Sequence, residues 1–402
     1  MKKEISRREF ITETSAIGGA ALMYKPYWHL TQPGKRIRMG IVGGGFGRAF
    51  QWHEHPGCVV EAVSDLRPER KKSLMETYRC GKSYPSLEEL VKDSHIDAVA
   101  VFTEGPNHVK HVIECMKQGK HVISAVPACW GTVEEAEILL ETVKNYGLTY
   151  MMAETSYYQQ FTISARKMFR KGEFGDLYYC ESEYQHDGLE ELYYENGEKT
   201  WRYGVAPMHY PTHCVAHLTG VTGERLTEVV CHGWGDDAPY LKDNVYHNPF
   251  HNESALFRTD RGNSFRANIW WKGAHLGGER ANWIGTSMSF YTGNGRSGPA
   301  IVRKTEKLGS DDAGFVRGIP ELEIYDQPEW WKTDMLPEPL RHNSGHEGSH
   351  TFLTHEFIDA LLTGRKPAVD VHEALAYTVP GIIAHESALQ GGEQLKIPQF
   401  GP

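Results

Sequence analysis

Ile37-Arg38-Met39-Gly40-Ile41-Val42-Gly43-Gly44-Gly45-Phe46-Gly47-Arg48-Ala49-Phe50 reads as an apolar strand that runs into a glycine-rich turn and then a helix. Gly43 permits the tight turn, and Gly45 lets backbone N–H groups approach a pyrophosphate at the positive end of the helix. The next strand, Cys58-Val59-Val60-Glu61-Ala62-Val63-Ser64-Asp65, places a carboxylate about twenty residues beyond the turn, where a ribose 2′-hydroxyl would sit. Asp65 therefore favours NAD over NADP, while Arg67 nearby could accommodate a 2′-phosphate. The sixth position of G-x-G-x-x-G/A is Arg48, so close helix–strand packing falls to Gly47 or Ala49. Strand, turn, helix, strand and acidic end together make a dinucleotide-binding unit; a lone glycine triplet would be only a turn.

Ahead of this unit, Ser6-Arg7-Arg8-Glu9-Phe10-Ile11 and the short apolar run Ala16-Ile17-Gly18-Gly19-Ala20-Ala21-Leu22-Met23 resemble a twin-arginine export signal. The alternative is a basic tail on a cytoplasmic protein. The run is far short of the roughly twenty residues that span a bilayer, and residues 1–57 contain no cysteine to carry a lipid anchor. Residues 1–34 are set apart as this signal segment, with the periplasm or another exported compartment as the expected location. Such compartments hold no general pool of soluble dinucleotide, so an exported NAD protein has to keep its cofactor.

The 402 residues suit two domains, and a net charge of −9 argues against nucleic acid or an anionic membrane as the partner. Ten tryptophans and twenty tyrosines would suit stacking on sugar rings and equally suit large cores. The seven cysteines show no C-x-x-C spacing; an odd number in a protein folded before export implies free, mainly buried thiols.

Residues 35–155 alternate strands and helices, which predicts a Rossmann-type, doubly wound parallel sheet and an α/β class. The strand Ile96–Phe102 leads into Thr103-Glu104-Gly105-Pro106-Asn107-His108, a helix runs to Gly119, and the strand His121–Ser124 leads into Ala125-Val126-Pro127-Ala128. Both loops lie at carboxyl ends of strands, where ligands of such sheets bind. Residues 156–365 change to mixed strands and long loops, which predicts an α+β domain with an open, mainly antiparallel sheet. Residues 366–402 form a C-terminal helix and tail returning to the first domain.

The Rossmann half resembles the Gfo/Idh/MocA oxidoreductases, which carry T-P-x-x-x-H, A-G-K-H-V and E-K-P in this order. Thr103, His108 and Gln118-Gly119-Lys120-His121-Val122 match, whereas the family's lysine is Val126 and its glutamate Ala125. A valine exchanges no proton, so another residue must act or the reaction must differ. Further on, Glu154-Thr155, Tyr184-Gln185-His186-Asp187, Trp201-Arg202, Tyr210-Pro211-Thr212-His213 and Gly345-His346-Glu347-Gly348 resemble the branch of NAD-dependent α-N-acetylgalactosaminidases, which also shares the valine before the proline.

The glycine turn assigns Gly43 and Gly45 to NAD and the loop after the Ile96–Phe102 strand adds Thr103; the resemblance implies further NAD contacts from Phe46, Gly47, Asp65, Pro106, Asn107, His108, Val126 and Thr155. It implies sugar contacts from Tyr184, Arg202, Tyr210 and His213, with His213, Tyr210, Tyr184 and His186 as candidates for proton transfer. It further implies a homo-oligomer and a redox-neutral glycoside cleavage: oxidation at a ring hydroxyl, elimination, water addition and re-reduction on retained NAD. A sugar oxidoreductase and a non-catalytic NAD-containing sugar-binding protein remain as alternatives. Tyr184 could be core, and His346 could simply lie in a loop. His209, His213 and His217 form an i, i+4, i+8 ladder, but Pro211 interrupts a helix through His209 and no carboxylate completes the set, so no metal is expected.

Overall fold

The computed structural model describes residues 34–293, 297–310 and 312–401, so the export-signal reading falls outside the described residues. Six short strands form the first sheet: β1 (Ile37–Val42), β2 (Cys58–Ser64), β3 (Ser83–Tyr84), β4 (Ala98–Val101), β5 (His121–Ser124) and β6 (Tyr150–Met152). Their order is β3-β2-β1-β4-β5-β6 and every pairing is parallel. β4 and β6 are buried at every position, which is why both read as unbroken apolar runs rather than alternating ones. Helices Pro68–Tyr78, His108–Lys117 and Val133–Tyr146 connect the strands; the last is capped by Thr132, which accepts from Glu135 N, and ended by left-handed Gly147.

The helix expected after the glycine turn is absent. Its place is taken by two single 3₁₀ turns, Gly47–Ala49 and Trp52–Glu54, with Phe50 extended between them. Phe50 and Trp52 are both fully buried, with rings stacked at 5.9 Å. Residues two apart fall on opposite sides of an α-helix, so both rings reach one core only if the helix is broken.

The second sheet has nine strands, in the order Glu321–Ile324, Ala300–Arg303, Met288–Tyr291, Gly278–Gly285, Leu177–Gln185, Ser264–Trp270, Asn252–Thr259, Leu226–Trp234 and Leu395–Lys396. All pairs are antiparallel except Leu177–Gln185 with Ser264–Trp270. One face of Leu177–Gln185 carries Cys180, Ser182 and Tyr184; the other carries Tyr179, Glu181 and Glu183 in a ladder with Arg266, Arg280 and Asn282. The helix Thr212–Thr222 is buried along almost its whole length, and Trp283 of the sheet donates to His217 O at 2.7 Å. The C-terminal helix Val371–Leu389 meets the first sheet, where Ala128 N donates to Thr378 Oγ1 at 3.2 Å, while Leu395–Lys396 completes an edge of the second. The seven cysteines are buried free thiols. No helix among the described residues is long and apolar enough to cross a membrane.

Lys120 is 6% exposed, and its Nζ donates to Asp93 O and Ile96 O, each at 2.8 Å. Lys120→Met removes both donors and leaves two carbonyls short of partners, at about 1–3 kcal/mol each. Thermal denaturation is expected to show that loss, with the bound-dinucleotide content of the folded fraction unchanged.

Candidate active site

The loops that follow β1, β4, β5 and β6 all emerge at the carboxyl edge of the first sheet, and β1 lies at the switch point between β2 and β4. Gly43 has φ 98°, and a Cβ there would collide with Phe102 O. Gly45 is exposed, and the nearest atom to its Cβ position is Arg70 Nη1 at 3.7 Å, so its backbone is open to a ligand and lies beside a positive charge. Gly47 is buried against Phe102 and supplies the close approach that Arg48 could not. Asp65 holds the turn, accepting from Gly44 N at 2.6 Å and from Arg67 N at 2.8 Å, and keeps lone pairs for further donors. Arg67 and Arg70 both reach Glu195, on the hairpin of Tyr194–Glu195 with Glu198–Lys199. That carboxylate offsets the charge that could otherwise attract a 2′-phosphate.

Pro106, Asn107 and Val126 are half-buried at the neighbouring loops, and Phe46 stands at the turn itself. Thr103 Oγ1 is engaged with His111 Nδ1 at 2.8 Å. Thr155 Oγ1 is buried without a hydrogen-bond partner among the described residues. The open Gly45 backbone, the Asp65 carboxylate and this unpartnered hydroxyl fit a dinucleotide laid across the strand ends. His108 is 1% exposed, with its ring nitrogens against Pro127 O at 2.7 Å and Thr103 O at 3.1 Å. It ties the two loops together from beneath.

The helix Thr212–Thr222 carries His213 and His217 one turn apart, whereas His209 belongs to the 3₁₀ turn Pro207–His209 and packs on Trp130 and His385. Two carboxylates that sequence reasoning left out complete the cluster. Glu154, with 0% exposure, follows β6 and places Oε1 at 2.9 Å from His213 Nδ1; Ser156 Oγ lies 2.9 Å from the same nitrogen. Glu279 is the direct cross-strand partner of Tyr184, accepts from Ser156 Oγ, and lies 3.9 Å from His213 and 3.8 Å from His217. His217 Nδ1 meets Ser182 Oγ at 2.7 Å. Glu154 had a legible signal, an acid at the carboxyl end of a buried strand; Glu279, between Gly278 and Arg280, had none.

Burial opposes charge on every group here, and the neighbours decide the outcome. For Glu154, burial alone would raise the carboxyl, but His213 beside it holds it down at about 2. For His213, burial alone would lower the imidazole, but Glu154 and then Glu279 push it up to about 9. Burial raises Glu279, reinforced by the Glu154 charge and resisted by His213 and Ser156, and burial drives His217 down to about 3. The result is an imidazolium–carboxylate pair flanked by a carboxyl that burial pushes up and an imidazole that burial keeps neutral. With Nδ1 turned to Glu154, Nε2 is the nitrogen of His213 left to exchange a proton.

Tyr184 lies ring to ring with His213 at 4.6 Å, with His186 at 5.9 Å and with Trp271 at 5.7 Å. Tyr210 reaches the same Trp271 at 6.0 Å and stacks on Trp201 at 6.4 Å, over which the Arg202 guanidinium lies at 4.1 Å. Burial raises both phenols, Tyr184 most, with Arg202 opposing. His213, Tyr184, His186, Tyr210 and Arg202 are therefore linked, through Trp271 and Trp201, in one aromatic cluster. Among the described residues no group of three His, Cys, Asp or Glu side chains is arranged to hold a metal ion.

Residues 37–154 match the GFO_IDH_MocA family, the oxidoreductase family with an NAD-binding Rossmann fold. The match covers the Rossmann part of the chain, which carries the NAD-binding fold of that family. The chain is 27% identical to a glycosyl hydrolase family 109 protein of Solibacter usitatus, over 92% of this chain and 89% of that one. It is 26% identical to glycosyl hydrolase family 109 protein 2 of Akkermansia muciniphila, over 91% and 83% respectively. Its fold resembles levoglucosan dehydrogenase in complex with NADH and L-sorbose, with a TM-score of 0.73, 17% identity and coverage of 91% of this chain and 100% of that one. Scyllo-inositol dehydrogenase from Lactobacillus casei with NAD(H) and scyllo-inositol gives a TM-score of 0.65 at 15% identity, covering 90% and 99%.

Gly43→Ala is expected to destabilise folding, because the residue is left-handed and blocked by Phe102 O. Gly45→Ala is expected to fold normally and to bind dinucleotide more weakly, as read by calorimetry. The buried pair makes a second prediction. His213 rises from 6.5 to about 9, so its contribution is complete below about pH 6.5 and lost as pH rises through 9. Glu154 falls from 4.5 to about 2, so its contribution is complete above about pH 4.5 and lost as pH drops through 2. The stability gap between wild type and Glu154→Gln should therefore peak between about pH 4.5 and 6.5 and narrow on both sides. A gap independent of pH would show that the pair is not charged.

Proposed function

We propose that the protein is an NAD-dependent glycosidase that cleaves a sugar–oxygen bond without net redox change, on a dinucleotide that it retains. The observation that carries this reading is the His213–Glu154 pair facing Tyr184 in an aromatic cluster beyond the last strand of the first sheet. The similarity to glycosyl hydrolase family 109 proteins over about nine-tenths of the chain supports it.

NAD, when bound, supplies an acceptor for the hydride of a ring hydroxyl carbon and returns that hydride later in the same turnover. Phe46, Gly47, Asp65, Thr103, Pro106, Asn107, Val126 and Thr155 are the residues we assign to holding it, with His108 fastening the loops. Arg202 and the aromatic cluster orient the sugar. Oxidation of C3 acidifies the proton on C2, and a base that removes it lets the C1 substituent leave, so no pair of opposed carboxylates is required. His213 Nε2 moves a proton between enzyme and sugar while Glu154 stabilises the charged imidazole, and Tyr184, Tyr210 and His186 exchange protons with the hydroxyls. Val126 cannot do this work, which leaves it to this cluster.

The twin-arginine-like segment supports export, where a retained cofactor is required. The Glu195 hairpin over Arg67 and Arg70 suits retention. The charged ladder on the open face of the second sheet suits a homo-oligomeric contact.

The test is incubation of the purified protein, without added cofactor, with p-nitrophenyl glycosides in heavy water. Phenol release with deuterium at C2 is expected, and His213→Asn should lower kcat about 10²–10⁴-fold, with Glu154→Gln following it in direction. Accumulation of oxidised sugar would replace this reading with a sugar oxidoreductase. Bound sugar without any turnover would replace it with a binding protein.

A further inference from the structure

Backbone conformation singles out Gly345-His346-Glu347-Gly348 at the start of the helix Gly345–Thr363. His346 (φ 49°, ψ 57°), Glu347 (φ 56°, ψ 37°) and Gly348 (φ 89°, ψ 3°) are consecutive left-handed residues. Residues with a Cβ avoid this region, and such strain persists only where surrounding structure over-determines it. Here Gln160 Nε2 donates to Glu347 O at 3.0 Å, and a Cβ on Gly348 would collide with Trp331. The turn brings the His346 ring edge-on to Phe46 of the dinucleotide loop, at 5.6 Å.

Hydrogen bonding then dictates where the protons are. Ala49 O can only accept, so the 2.9 Å contact with His350 Nδ1 requires the proton on that nitrogen. Burial pushes His350 down to about 4, which keeps it neutral near pH 7, so its Nε2 is bare. The 2.8 Å contact between His350 Nε2 and His346 Nδ1 must therefore use the proton of His346. Burial likewise lowers His346 to about 4, so its own Nε2 is a bare acceptor, without a hydrogen-bond partner among the described residues. The charges of His213, Glu154 and His186 act on His346, and its ring contacts are Phe46 of the dinucleotide loop and His350.

We propose that His346 Nε2 is a preset acceptor for a sugar hydroxyl beside Phe46 of the dinucleotide loop, and that His350 is the positioning residue that selects its tautomer. The proposal rests on the reading of the site as one that handles sugars. The hydroxyl belongs either to the substrate ring or to a ribose of the dinucleotide, which present the same O–H donor. His346 thus supplies acceptor capacity in a site where the chain has Val126 and no lysine.

The experiment is two-bond ¹H–¹⁵N spectroscopy of the full protein with histidine-selective ¹⁵N labelling, assigned by the resonances lost in His346→Gln. Both imidazoles are expected as Nδ1–H tautomers, with the His346 Nε2 resonance moving when free hexoses and N-acetylhexosamines are added. His350→Phe should mix the His346 tautomers, and His350→Gln, which can still accept from His346 Nδ1, should mix them less. His346→Ala is expected to raise KM for a cleaved glycoside about tenfold at unchanged NAD content if the donor is the substrate. It is expected to lower the NAD retained through dialysis at unchanged KM if the donor is the ribose. A proton on His346 Nε2, or a His346→Ala protein whose sugar affinity and NAD retention both match wild type, would overturn the proposal. If sugars move the resonance while no glycoside is cleaved, the acceptor role stands and the glycosidase reading falls.

Discussion

Glu154 sits beyond the last strand of the first sheet with 0% exposure, and a carboxylate in that position keeps its charge only because His213 lies 2.9 Å away. Desolvation of either group alone would cost several kcal/mol, so each is tolerable only in the presence of the other. The pairing reaches across the architecture. Glu154 follows the last strand of the Rossmann sheet, His213 belongs to a helix buried beside the second sheet, and Glu279, joined to the pair through Ser156, to that sheet itself. One buried interaction thereby ties the end of the first sheet to the aromatic cluster and decides which nitrogen of His213 meets a carboxylate.

The same economy of charge shapes the dinucleotide loop. A long helix after the glycine turn would present a positive macrodipole to a pyrophosphate. Two 3₁₀ turns supply little of that field, and Arg70 stands beside the open Gly45 backbone instead. Phe50 and Trp52, drawn into the core with Phe102 and Phe357, account for the broken helix. The fingerprint thus survives as a turn and an acidic strand end while the helix that usually accompanies it does not.

Much of the site is legible in the amino-acid sequence, though unevenly. Gly43, Gly45, Gly47 and Asp65 can be read there because their spacing reports a backbone geometry that side chains elsewhere cannot alter. Tyr184, Tyr210, Arg202 and His213 can be read only through motif resemblance; nothing local distinguishes Tyr184 from a core tyrosine on an alternating strand. Glu279 is illegible, because its significance lies in the cross-strand register that sets it opposite Tyr184. The histidine ladder misleads in one respect: the carboxylates that face it, Glu154 and Glu279, come from other elements far away in the chain.

By itself the sequence determined the α/β alternation, the strand order's glycine-rich switch point and the change to a mainly antiparallel sheet, since these follow from local periodicity and turn chemistry. Tertiary structure alone decided the protonation pattern: the carboxyl of Glu154 is held down and that of Glu279 pushed up, His213 is held charged, and the hydrogen bonds select the protonated nitrogen of His346 and His350. Those choices depend on burial and on partners distant in the chain, and neither is written in any one stretch of residues.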